Sequence, residues 1–225
     1  MKRTVQQTDR ELKTAIVDEF EWAPNIVADR IGVAVNDGAV TLSGEVNSYP
    51  DKTAAVKAAL RVHGVTALAD EIEVKSAWTI PLDEDLAREA GAALNASVVL
   101  DEGSVKATVH DHQVDLTGTV GWNHQREAAQ SLVSNLAGVR AVHNRIAIAP
   151  TLTFSSSDAK LAIEAALQRH AQLDADRITV SSQGTVIELT GTVRSWSEYG
   201  QAGLAAWAAP GVTHVNNHIT VLSDR

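Results

Sequence analysis

The sequence predicts an α+β protein built from three tandem α-β-β-α-β units. Each is a two-layer sandwich, with a mixed three-stranded sheet and two helices on one face. Three observations predict this. First, the stretch Val-Thr-Leu-Ser-Gly-Glu-Val at 40–46 recurs as Val-Asp-Leu-Thr-Gly-Thr-Val at 114–120 and as Ile-Glu-Leu-Thr-Gly-Thr-Val at 187–193. Second, its glycines, Gly44, Gly118 and Gly191, act as rulers. A large apolar residue lies 24 positions before each (Phe20, Leu94, Leu167), and a Gly-Val pair begins 20 positions after each, at Gly64, Gly138 and Gly211. Third, a final apolar strand ends ten residues beyond that pair, at Val74, Ile148 and Val221. Repeats at fixed spacing mark separately folding units and override a prior based on length. The units run over 9–74, 83–148 and 156–221, joined by short apolar linkers at 75–82 and 149–155.

Each unit opens with a helix. Leu12, Ala15, Ile16 and Phe20 keep the spacing of one buried stripe, and Thr8 with Glu11 reads as a capping box in front of it. In the third unit Ser155 and Asp158 stand at the equivalent places, ahead of the stripe Ala159, Ala162, Ile163 and Leu167. The second keeps Leu86, Ala90, Ala93 and Leu94 but carries Leu82 at the cap position, so Asp83 is expected to cap instead.

A hairpin follows. Ile31, Val33 and Val35 alternate with small or polar residues, Asp37-Gly38 supplies the turn, and Val40 and Leu42 resume the alternation. The other turns are expected at Asp111-His112 and around Gln183-Gly184. The ruler glycines lie late in the second strand, where a missing side chain lets another backbone come close. The second helix starts at Ser48, tolerates Pro50 in its first turn, and turns the small residues Ala55, Ala58 and Ala59 inward. Gly64, Gly138 and Gly211 then stop the helices. A right-handed crossover makes the last strand parallel to the second. The linkers carry Trp78, Ile80, Leu82, Leu152 and Phe154, where a flexible linker is polar, so they are expected to pack on the units.

The chain has 19 basic and 28 acidic residues, net −9, and every third of it is acidic. Nucleic acid or an anionic membrane calls for a Lys/Arg footprint, so nucleic acid is excluded as a partner and anionic membrane is disfavoured. The absence of cysteine removes disulfides, thiolate metal sites and thiol nucleophiles. After Met1-Lys2-Arg3 the residues Thr4 to Glu11 are polar where a signal peptide is apolar, which predicts a cytoplasmic protein. No apolar run approaches the roughly 20 residues of a membrane span.

These features resemble the BON domain, the module named for bacterial osmotically induced and nodulation proteins. The resemblance rests on the element order, the Leu-Ser/Thr-Gly-x-Val strand, the Gly-Val after the second helix, and last strands such as Val142-His143-Asn144-Arg145-Ile146 and Val215-Asn216-Asn217-His218-Ile219. It covers nearly the whole chain. It implies a non-catalytic binding or scaffolding protein of osmotic or general stress. The alternatives it implies are a sensor of a small ion such as potassium and a phospholipid-surface module. Many members are exported or lipid-anchored, whereas this chain shows neither an export signal nor a lipobox cysteine.

No catalytic constellation competes with that reading. His110-Asp111-His112 is the one local histidine–carboxylate cluster, yet the equivalent positions read Asn36-Asp37-Gly38 and Gln183-Gly184-Thr185, so it is taken as a solvated turn. The acidic groups at Asp9, Glu11 and Asp83 to Asp85 suit helix starts, where carboxylates complement the dipole. No enzyme activity, cofactor or metal site is expected. Tyr49, Trp122 and Trp196 are the candidate contacts. All three fall four or five residues after a ruler glycine, where strand passes into helix; an aromatic there either caps the sheet edge or packs on the helix start, which is the favoured reading, or meets a partner or lipid interface, since Trp and Tyr suit half-wet sites. The partner expected there is an unknown protein or small ligand, and a homo-oligomer is also open.

Overall fold

In the computed structural model, which describes residues 8–24, 26–75, 81–149, 156–169 and 175–222, the chain forms three α+β units. The first contains α1 (Asp9–Trp22), β1 (Ile31–Asn36), β2 (Ala39–Val46), α2 (Tyr49–Arg61) and β3 (Ala67–Val74). The second contains α3 (Asp83–Asn95), β4 (Val105–His110), β5 (Gln113–Val120), α4 (Asn123–Ser134), β6 (Ala141–Asn144) and β7 (Ala147–Ile148). The third contains α5 (Ser156–Arg169), β8 (Ile178–Gln183), β9 (Val186–Val193), α6 (Trp196–Trp207) and β10 (His214–Val221). The hairpin strands pair antiparallel and the crossover strand joins the middle strand in parallel, so all three sheets are mixed.

The helices form where the apolar spacing puts them. Leu12, Ile16 and Phe20 of α1 are buried against Val33, Val40 and Leu42 of the sheet and Ala55, Ala58 and Ala59 of α2. Burying a side chain such as Phe20 contributes about 1.5–3 kcal/mol. The Thr8–Glu11 capping box is present in both directions. Thr8 Oγ1 accepts from the Glu11 N–H, and the Glu11 carboxylate accepts from the Thr8 N–H. Ser155 lies outside the described residues, as do Trp78, Ile80, Leu152 and Phe154 of the linkers.

The cap of α3 is a correction. Leu82, not Asp83, is the N-cap, and it makes no side-chain bond. Asp83 is the first helical residue, and its carboxylate is taken up elsewhere, accepting from the Asp111 N–H at 2.8 Å and the His112 N–H at 3.0 Å in the hairpin turn. Asp9 does the same for Asp37 and Gly38. These turns leave consecutive N–H groups pointing one way, because both central residues have positive φ, and the carboxylate satisfies them. The linker before α3 is docked in part. Pro81 lies where a Cβ on Gly138 would come within 2.7 Å of its ring, whereas Leu82 is 71% exposed.

The ruler glycines are close-approach positions. At Gly44, φ is +122° and an added Cβ would sit 2.1 Å from the Arg30 carbonyl oxygen. At Gly118, with φ +135°, it would sit 2.1 Å from that of Ser104. Both the conformation and the space demand glycine.

Candidate functional site

The three candidate aromatics sit where the middle strand of each unit turns into its second helix, and they are not equivalent. Ser48 and Ser195 are N-caps, each accepting a bond from the residue three further on, Asp51 or Glu198. Tyr49 and Trp196 are the first residues of their helices. In the second unit the aromatic comes one residue earlier: Trp122 occupies the cap, and Asn123 holds the position of Tyr49 and Trp196. An indole has no acceptor for the helix N–H groups. Gln125 supplies only the reach-back half of a cap, its Oε1 accepting from the Gly121 and Trp122 N–H groups at 3.0 and 3.1 Å, as Glu198 does for the Arg194 N–H.

That offset separates their roles. Tyr49 of the first unit packs against the core of the second, and Trp196 of the third packs against the core of the first. Trp207, at the end of α6, touches the cores of both the second and third units. The guanidinium of Arg126 on α4 lies over its ring, and partial burial there lowers the Arg126 pKa. Helices α2 and α6 touch as well. Each unit therefore meets both others. Asn123 is buried, its Nδ2 donating to Glu127 at 2.9 Å while its Oδ1 finds no partner among the described residues.

Trp122 is the candidate aromatic left at the surface, 36% exposed, with its ring tilted against His124. Gln125 Nε2 donates to the Val99 carbonyl at 2.9 Å, which ties the loop carrying Val98 and Val99 to the same helix start. Val98 is fully exposed and Val99 is 41% exposed. Exposed Val98 and Val99 thus belong to a loop hydrogen-bonded to the helix start that carries Trp122.

His110 precedes a turn whose two central residues, Asp111 and His112, have φ values of +49° and +61°. His110 Nδ1 lies 3.2 Å from the exposed Asp111 carboxylate, and His112 Nδ1 lies 3.5 Å from Asp83. The His112 N–H, with the Asp111 N–H, holds the Asp83 carboxyl below its usual range. Among the described residues no group of three or more His, Asp or Glu can hold a metal ion. No described helix is long and apolar enough to cross a membrane.

One repeated device escaped the sequence reading. In the last strand of each unit Asp70, Asn144 or Asn217 turns its side-chain oxygen to the N–H two residues on. The rest of that side chain reaches the second helix. Asp70 pairs with Lys52 Nζ at 3.2 Å, Asn144 Nδ2 donates to the Arg126 carbonyl, and Asn217 Nδ2 donates to the Tyr199 carbonyl. The signal was available: these residues stand 26 positions after the ruler glycines, and their partners stand 8 after. In the second unit the last strand breaks just after this residue, between β6 and β7, whereas β3 and β10 continue through it.

Three copies of one sandwich, coupled through side chains at their helix starts and ends, define a tandem-module protein. The chain belongs to the BON-domain family, whose model matches residues 8–76, 82–150 and 155–223. It is similar to osmotically-inducible protein Y of Escherichia coli (strain K12), 33% identical over 139 residues, which is 60% of this chain and 67% of that protein. Two solved chains of CdsD, a structural protein of the type III secretion system of Chlamydia trachomatis, one of them its C-terminal domain, align over 94% of this chain. They cover 92% and 98% of their own length at 16% and 14% identity. Their TM-score of 0.27 is too low to bear on fold or function.

The family and the osmotically inducible relative support a stress-related binding role and point to a non-enzymatic family. The cytoplasmic expectation is corrected by the same relative, which is a periplasmic protein. A polar stretch such as Thr4 to Glu11 does not decide a compartment.

Proposed function

We propose that this chain is a non-catalytic scaffold of the osmotic or general stress response, and that it takes a protein partner at the helix start bearing Trp122. The observation that carries the reading is the inequality of the three aromatics. Tyr49 and Trp196 are engaged between units, while Trp122 stands at the surface, on the helix start to which Gln125 ties the loop of exposed Val98 and Val99. An exposed indole next to aliphatic side chains is the kind of anchor that dominates small protein interfaces. Net charge −9 sets the chain against anionic bilayers.

Site-specific photo-crosslinking tests this in cells producing the chain, before and after an osmotic upshift. A benzoylphenylalanine at position 122 is expected to yield a discrete protein adduct, and the same probe at the exposed Lys106 is not. Adducts at both positions, or at neither, refute the proposal. Co-sedimentation with anionic vesicles at two salt concentrations separates the lipid alternative, and strong salt-sensitive binding that survives Trp122→Ala would favour that alternative. A melting temperature that rises with potassium but not sodium would favour the ion sensor.

A further inference from the structure

We propose that the outer side of the third unit's helix layer is a homodimer face, on which α5 and α6 dock against the same two helices of a second copy of the chain. The register of the repeats singles this surface out. Where the first two units have Thr14 and Arg88 on their first helices, the third has Leu161. On the second helix Thr53 and Glu127 give way to Gly200, Lys57 and Ser131 to Leu204, and Arg61 and Asn135 to Ala208. Four positions that are polar in both other units are therefore apolar in this one. None of the four faces the core. Leu161 and Leu204 lie about half a turn from the buried Ala159 and Ala202 of their own helices, so both point away from the sheet. Leu161 is 63% and Leu204 57% exposed, and a Cβ added at Gly200 would meet nothing within 4 Å. Exposed apolar side chains gathered on one surface mark a place of contact.

Charge names the occupant. A chain of net −9 repels its own copies, and α1 and α3 each carry three more acidic than basic residues. Helix α5 carries two of each sign, so it is where two copies can approach without that repulsion. Beside Leu161 the Lys160 ammonium lies 3.7 Å from the Glu164 carboxylate, one turn along the helix. Opposite charges one turn apart make a helix complementary to its own antiparallel copy. About a twofold axis Lys160 of each chain faces Glu164 of the other, and Leu161 of each enters the space over the exposed Ala165 of the other. A strongly charged partner finds no net field on this face. The small residues Ala165, Gly200 and Ala208 let the helices come close and give the leucines room. A face two helices wide, about 18 by 20 Å, hides about 700 Å² over both copies, which is small for a specific interface and sets a weak, concentration-dependent dimer.

Sedimentation equilibrium of the full chain over roughly 1–500 µM tests this. The weight-average mass is expected to climb from that of one chain toward that of two. Leu161→Glu and Leu204→Glu, both at exposed positions, are each expected to hold the mass at that of one chain while leaving the circular dichroism spectrum as in the parent. Lys160→Glu is expected to weaken the dimer, and Glu164→Lys added to it to restore the dimer, because the swapped pair is again complementary to its antiparallel copy. A parent that stays monomeric at every concentration, whether free or bound through these leucines to zwitterionic vesicles, would overturn the proposal. So would a dimer that persists in both leucine variants, a mass that climbs past two chains, or a charge-swapped double variant that dimerises no better than Lys160→Glu.

Discussion

The guanidinium of Arg126 lies 4.4 Å from the ring centroid of Trp207, so a cation on α4 of the second unit covers the last aromatic of α6 in the third. The contact joins two units through one pair of side chains. Cation–π pairs contribute about 0.5–2 kcal/mol, with the larger values where water is excluded, as it partly is here.

A double-mutant cycle on Arg126→Met and Trp207→Leu is therefore expected to give a coupling of about 0.5–2 kcal/mol by urea denaturation. A coupling near zero would mean that the pair is adjacent without interacting.

Two glycines predict opposite outcomes for the same substitution. Gly118→Ala places a methyl 2.1 Å from the Ser104 carbonyl oxygen at φ +135°, and it is expected to destabilise the second unit by more than 2 kcal/mol, roughly the scale of a strained backbone plus a clash. Gly91→Ala falls within α3 with nothing inside 4 Å, and it is expected to stabilise by about 0.5–1 kcal/mol. Denaturant midpoints of the two variants check both signs.

The strand-to-helix clamp in the last strand predicts a loss at Asn144. Its side chain makes bonds to the Ile146 N–H, the Arg126 carbonyl and Gln130 Oε1. Asn144→Ala is expected to cost about 1–3 kcal/mol, since partly buried partners lose their bonds. Asn144→Asp is expected to be no better, because a carboxylate cannot donate to the Arg126 carbonyl. Equal stability of Asn144→Asp and the parent would show that the donor is dispensable.

The hairpin clip predicts a pH dependence. The Asp83 carboxyl is lowered chiefly by the N–H of His112, with the Asp111 N–H adding to it. A depressed carboxyl contributes stability that is fully present above its unfolded pKa of about 3.9 and is lost as pH falls through the folded value. Asp83→Asn is therefore expected to lower the melting temperature at pH 7, with the difference from the parent shrinking below pH 4. A difference that persists undiminished at low pH would rule out the ionised clip.

The architecture was legible because periodicity and spacing belong to the backbone. The stripe Leu12, Ile16, Phe20, the Asp37-Gly38 turn and the ruler glycines each state a local geometry that the tertiary structure keeps. The cap of α3 was misread because Asp83 has two places to send its carboxylate. The hairpin turn offers two N–H groups already pointed at it, and only the folded pair shows that they win. The candidate contacts were half legible. Counting from the glycines found three aromatics near one loop, but a one-residue offset puts Trp122 in the cap position of Ser48 and Ser195. Which side chain lies between units and which faces outward depends on how the units meet, and nothing in the repeat spells that out. The compartment was not legible from a polar N-terminus at all.

The seat of Pro81 on Gly138 bears on where the chain can be cut. The proline precedes the second unit's first helix and rests on the turn after its second, and the next carbonyl, of Leu82, accepts the Leu86 N–H. A fragment that starts at Asp83 keeps every strand and helix of that unit yet discards the residue wedged at its far end and the acceptor for its first helical turn. Recombinant pieces of this protein should begin before Pro81. A poorly behaved middle fragment that starts later reports on a missing wedge and says little about whether the unit can fold alone.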